Sequence, residues 1–157
     1  ASVYGVYNGF ELGENRAVPG TEEYLHSEKY EYKVWDWDRP GHIKDDIAKL
    51  NRIRRENPAL HTLTNLRFYP AHDDHVLFYG KITADHRNMV FVAVNLDPTS
   101  PREAVVEFPL AEMNVAEVET FAAVELFTGT EHRWQGARQR LRLDPEVNPA
   151  AIFRIKR

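Results

Sequence analysis

In the first third of the chain, apolar residues recur at helical spacing over one stretch only. This is DDIAKLNRIRRENPAL, residues 45–60. On a wheel turning about 100° per residue, Ile43, Ile47, Leu50 and Ile53 share an arc of roughly 120°. The spacing predicts one amphipathic helix with its stripe on a core. Pro58 stops it, because proline disfavours helical geometry at Asn57 and brings no N–H of its own. Arg54 lies about 20° from Ile43 on the same wheel, inside the stripe. It is read as a structural ion pair or as a side chain reaching past the core edge. Lys49, Arg52 and Arg55 point the other way and read as a solvated face.

After this helix the period changes from 3.6 to two. Strands are predicted over residues 66–69, 76–82, 89–96, 104–108, 122–127, 132–135, 140–143 and 151–155. RQRLRL, from Arg138, alternates polar and apolar, as does IFRIK, from Ile152; each reads as a half-buried strand. VFVAV, from Val90, is apolar throughout and reads as a central strand covered on both faces. Polar turns separate the strands, and residues 109–113 add one helical turn. About eight short strands with frequent turns predict an antiparallel β-sandwich that folds on its own from about Leu66.

Before the helix lie a short β-prone run, residues 2–7, closed by Asn8-Gly9, and a long polar stretch, residues 11–41. Loops of that length are uncommon unless functional or disordered. This one carries Tyr24, Tyr30, Tyr32, Trp35 and Trp37, and disordered segments are poor in aromatic residues. An ordered, functional loop is therefore expected. The chain divides into residues 1–60 and 61–157. It opens on ASVYG, without methionine, and reads as a piece of a longer protein.

Composition narrows the classes. The net charge is −4 over 157 residues and 43% of residues are hydrophobic. That speaks for a real core and against a nucleic-acid or anionic-membrane partner. No apolar run approaches the roughly 20 residues that span a bilayer, and no signal peptide is visible. With no cysteine, disulfides and Cys-based zinc sites are excluded, which fits the cytoplasm.

Candidate chemistry is sparse. His72-Asp-Asp-His75 has metal-ligand residue types, yet four consecutive residues rarely converge on one ion, so a polar hairpin loop and no metal site is expected. Glu22, Glu23, Glu28 and Glu31 are carboxylates on the long loop. Paired carboxylates do glycoside chemistry at defined separations, but loop carboxylates are mostly solvated. There is no glycine-rich phosphate loop and no GxSxG elbow. Trp35 and Trp37, set between aspartates, read either as sugar-stacking rings or as aromatics packed at a domain interface.

Three segments carry a resemblance: YGVYNGFEL (4–12), EEYLHSEKY (22–30) and WDWDRPG (35–41). Together with LNRIRRENPAL they resemble the C-terminal part of the maltosyltransferases that use maltose 1-phosphate to extend α-1,4-glucans, members of the α-amylase superfamily. The resemblance implies that residues 3–7 are the last strand of a (β/α)8 barrel. The long loop then lies at the face where barrel active sites sit, residues 45–56 are the last barrel helix, and the remainder is the β-sandwich that follows. It implies a retaining double displacement at two carboxylates. The strands that carry the family's catalytic carboxylates are not in this chain. Glu11 and Glu14 match none of their roles, so no catalytic residue is assigned and the chain alone is expected to be inactive.

By the same resemblance, Lys29 and Tyr30 match the positions that hold the distal glucose of the donor maltose. No metal or organic cofactor is implied. The implied partners are maltose 1-phosphate, an α-1,4-glucan and the catalytic barrel, with a homodimer compatible. Two other readings stay open. One is the C-terminal region of another glycosidase or transglycosidase of the superfamily. The other is a free-standing carbohydrate-binding β-sandwich using Trp35, Trp37 or Trp134 as a platform.

Overall fold

The computed structural model describes residues 5–26 and 32–156. The chain falls into two compact units, Ala1–Arg52 and Ile53–Arg157.

The second unit contains every strand assigned among the described residues: β1 (Leu66–Phe68), β2 (Val76–Ile82), β3 (Met89–Asn95), β4 (Arg102–Glu107), β5 (Thr120–Glu125), β6 (Glu131–Gln135), β7 (Arg138–Leu143) and β8 (Ala150–Lys156). They are the eight strands expected from period two, with ends moved by no more than two residues. One sheet has the order β1-β2-β3-β8-β5-β6 and the other is β4-β7, and all the pairings are antiparallel. The helical turn α2 (Leu110–Met113) follows β4 and buries Leu110 and Met113.

Register explains the core. Phe78 lies opposite Ala93, Phe91 opposite Phe153, Ala93 opposite Ala151, and Phe121 opposite Trp134. These side chains share one face of the large sheet. They pack against Ala104, Val106, Leu141 and Leu143 of the small sheet, forming the main core. Phe108 sits at its centre, with ring centroids 5.1 Å from Phe78, 5.1 Å from Phe91 and 5.3 Å from Trp134. Gly80 is opposite Phe91. A Cβ there would lie 2.6 Å from the Phe91 ring and 2.8 Å from Tyr69, so glycine is what lets the two rings close over the strand.

The other face of the large sheet is covered as well. Val90, Val92 and Ile152 pack there against Ile53 and Ala59, with Leu60 and Tyr79 beside them. The continuous apolar run in β3 follows from this double cover, whereas β7 alternates strictly between exposed and buried. β8 departs from its half-buried reading. Ile152 and Phe153 point to opposite faces and both are buried, because β8 lies between β3 and β5.

Helix α1 (Lys44–Glu56) ends before Asn57, whose backbone is extended at φ −122°, and Pro58–His61 continue as a 3-10 turn. This is the stop expected of proline. The expected stripe is only partly used. Ile53 is buried, Ile43 and Ile47 are half-buried, and Leu50 is 42% exposed. Arg54 is exposed, and its carbonyl lies 2.8 Å from the His61 imidazole. The strand expected over residues 2–7 is not formed in its described part, 5–7. A strand needs a neighbour, and no described residue pairs with that segment.

Candidate functional site in the long loop

The loop is built from short local turns. Residues 10–12 make one 3-10 turn between two glycines in left-handed conformation, Gly9 and Gly13. The Gly9 carbonyl accepts from the N–H of Leu12 and of Glu14, both at 3.0 Å. Next comes a small hairpin. Leu25 N–H donates to Arg16 O at 2.8 Å and Val18 N–H to Glu23 O at 2.8 Å. Its turn is Pro19-Gly20, with Gly20 at φ +81°, the arrangement a type II turn requires. Tyr24 leaves the hairpin and stacks on Tyr7, with centroids 5.6 Å apart. Ile43 N–H donates to Glu11 O at 2.8 Å and closes the loop at its base.

Trp35 packs over the first of those glycines. A Cβ on Gly9, which has φ +93°, would lie 2.6 Å from the Trp35 ring, so only glycine admits the indole here. The Lys33 ammonium lies 5.1 Å from the centre of the same indole. Trp35 is thus a held ring, not an open platform. Trp37 is 47% exposed, and its carbonyl accepts from the Lys44 ammonium.

A cavity of about 340 Å³ opens among these groups, lined by Glu14, Arg16, Lys33, Trp35, Asp36 and Arg39, with His26 and Tyr32 also bordering it. Glu14 accepts from the Arg16 side chain at 3.2 Å and has Arg39 at 3.9 Å. Hydrogen bonds from the Arg16 side chain and backbone hold the Glu14 carboxyl below its ordinary range. An acid catalyst needs the opposite, a carboxyl raised towards neutrality. The cavity offers charged and aromatic groups that can hold and orient a polar ligand.

The residues singled out from the sequence fare differently. Trp35 lines the cavity. Trp37 does not. Lys29, Tyr30, Glu28 and Glu31 lie outside the described residues. Glu22 and Glu23 are exposed. His72 pairs with Glu107 at 2.8 Å, while the His75 ring lies 3.4 Å from Asp73, so the His72–His75 loop turns to separate partners. Trp134 packs on the core of the second unit, stacked under His132 at 4.9 Å and edge-on to Phe153 at 5.2 Å, and is half-buried. Arg16, Lys33 and Arg39 were not anticipated. Single basic residues in an aperiodic loop carry no pattern that marks them.

Comparison with known proteins agrees with the fold. A maltogenic α-amylase, AmyB of Thermotoga neapolitana, superposes with a TM-score of 0.59 at 14% identity, over 95% of this chain and 32% of its own. At that identity the likeness concerns the fold. In sequence, the chain is 52% identical over 99% of its length to the alpha-1,4-glucan:maltose-1-phosphate maltosyltransferase of Rhodospirillum rubrum. It is 46% identical over its full length to the enzyme of the same name from Myxococcus xanthus. It spans only 22% and 24% of those relatives. The GLGE C-terminal family matches residues 68–155. That match covers more than half of the chain, takes in all of β2 to β7 and most of β8, and bears out the resemblance seen in the sequence: the chain belongs to the GLGE C-terminal family.

Proposed function

We propose that this chain is the C-terminal portion of a maltosyltransferase that moves maltosyl units from maltose 1-phosphate to an α-1,4-glucan. The observation that carries the reading is the 52% identity to the Rhodospirillum rubrum maltosyltransferase across 99% of the chain. In the parent, residues 1–60 complete a catalytic (β/α)8 barrel and residues 61–157 are the sandwich that supports it. The nucleophile and the acid/base carboxylate belong to that barrel, and the parent works in the cytoplasm.

Within the chain, Lys29 and Tyr30 hold the distal glucose of the donor. Lysine donates to sugar hydroxyls, and tyrosine both stacks and donates. They stand in sequence between His26 and Tyr32, two residues that border the loop cavity. The Glu14 carboxylate, tied to Arg16 and Arg39, orders that cavity and takes no part in proton transfer.

Two experiments test the reading. The isolated chain, given maltose 1-phosphate and glycogen, releases no phosphate above buffer; sustained release overturns the assignment of catalysis to the barrel. In the full-length parent, Lys29→Ala lowers kcat/KM for maltose 1-phosphate by roughly ten- to a hundredfold, the effect of losing about 1–3 kcal/mol of hydrogen bonding. Tyr30→Phe loses less than Tyr30→Ala. Wild-type donor kinetics in Lys29→Ala end the donor-site reading.

A further inference from the structure

The sandwich is open along one side. Its small sheet has two strands and the large sheet six, and between the layers, beside β6, lies a cavity of about 310 Å³. That is the size of a small-ligand pocket. His132 and Trp134 give it an aromatic wall. Both project to the inner face of edge strand β6, and the imidazole lies 4.9 Å from the indole at an interplanar angle of 25°. Thr128, Thr130 and Asn148, all exposed, also line it.

Most of the charge around this cavity is already used. The one carboxylate lining it, Glu125, accepts from the N–H of Phe127 at 3.0 Å, from the N–H and hydroxyl of Thr128 at 2.7 Å each, and from the N–H of Ile152 at 3.2 Å. Arg142 is shared between Glu103 at 3.6 Å and Asp144 at 3.4 Å. Other side chains around it keep spare capacity. The Thr130 hydroxyl has a single side-chain partner, Thr128 at 2.9 Å. Among the described residues, the His132 ring nitrogens and the Asn148 side-chain amide have no hydrogen-bond partner in the protein. Arg140, exposed at the edge, adds N–H donors. Directional donors and acceptors beside an aromatic wall match a polyhydroxyl ring, which needs many directional hydrogen bonds and one apolar contact.

We propose that this cavity is a second glucan-holding site, in which a glucosyl unit of an α-1,4-glucan seats against the His132–Trp134 wall with its hydroxyls on Thr130, His132 and Asn148. The choice of glucan rests on the proposed function. The site itself lies wholly on the sandwich unit. A polymer held here is kept at high effective concentration for the parent's transfer reaction.

The test is a titration of this 157-residue chain with maltoheptaose, followed by amide and indole NMR. The expected result is saturable shifts at residues 128–134 and 148 and at the Trp134 indole N–H. Thr130→Val and His132→Ala each weaken binding about tenfold. Asn148→Ala, on an exposed turn, does the same with an unchanged melt, which guards against a folding artefact in the other two. Shifts confined to residues 5–52, no saturation, equal binding by all three variants, or displacement by inorganic phosphate each overturn the proposal. Failure of the proposed function is a separate outcome, because it appears as wild-type donor kinetics in the Lys29→Ala parent, which this titration does not read.

Discussion

The side-chain amides of Asn57 and Asn88 join the end of α1 to the β2–β3 hairpin. Asn88 Nδ2 donates to Asn57 Oδ1 at 3.0 Å across 31 residues of chain, and Asn57 is 1% exposed. Both amides are used at each end: Asn57 Nδ2 donates to Ile53 O at 2.7 Å, and Asn88 Oδ1 accepts from Ala59 N–H at 3.0 Å. The proline that stops the helix puts Asn57 in extended backbone, and the amide then takes up the carbonyl that the helix leaves without a partner.

Asn57→Ala leaves a buried carbonyl, Ile53 O, and a half-buried amide, that of Asn88, without their partners. It should destabilise the sandwich unit by about 1–3 kcal/mol. The double variant with Asn88→Ala should lose less than the sum of the two singles, because one contact is removed twice. Urea unfolding of the four proteins checks this, and strict additivity would rule the bridge out.

In the loop, the relationship between Gly9 and Trp35 makes a second prediction. Gly9→Ala places a Cβ 2.6 Å from the indole in a backbone of φ +93°. The ring must move, and with it one wall of the cavity it lines. The Trp35 indole resonance should shift while amides of residues 66–156 stay in place. In the full-length parent, kcat/KM for maltose 1-phosphate should fall on the order of tenfold or more, since displacements of about 1 Å near a site have such effects. An unmoved indole, or full activity with a moved one, would separate Trp35 from the site.

Most of the fold was legible because period two and period 3.6 are written directly into side-chain burial. VFVAV announced a strand covered on both sides, and Val90 and Val92 are buried against the helix end while Phe91 and Ala93 are buried in the main core. Leu50 misled for the same reason. Periodicity marks a residue that can be buried, and burial needs a partner surface that periodicity does not name. The candidate site was less legible. Its aromatics stood out by type, but the Arg16–Glu14–Arg39 cluster comes from a hairpin and a turn that bring together residues 25 apart in an aperiodic segment.

The packing also changes where an independent unit begins. The strand pattern suggests residue 66, but Ile53, Ala59 and Leu60 cover Val90, Val92 and Ile152. A chain of residues 53–157 should melt cooperatively with a β-type circular dichroism spectrum. A chain of residues 66–157 should keep the spectrum, bind a hydrophobic dye and lose about 3 kcal/mol or more, since full burial of Ile53 alone is worth about 1.5–3 kcal/mol. Equal stability of the two would show that the helix end is a passenger.

Acid sensitivity follows from Glu125. Burial pushes its carboxyl up, but the Phe127 N–H, the Thr128 hydroxyl and N–H, and the Ile152 N–H together outweigh burial and hold it below the ordinary glutamate value. The folded state therefore binds this proton less readily than the unfolded chain does. The stabilisation is fully present above the unfolded value, near 4.5, and is lost as pH falls through the lower folded value. Melting temperature should be flat above about pH 5 and decline below it, in part through this group. Glu125→Gln removes that dependence at a cost in stability. The amide keeps one acceptor oxygen for four donors, and its NH2 meets other N–H groups, which should lower stability at pH 7 by about 2–3 kcal/mol. The decisive quantity is the difference between wild type and Glu125→Gln as a function of pH. It should be largest at pH 7 and shrink towards pH 3. A constant difference would mean that the carboxyl binds its proton equally well in the folded and unfolded chain, and that the 125–128 turn is held by packing instead of by charge.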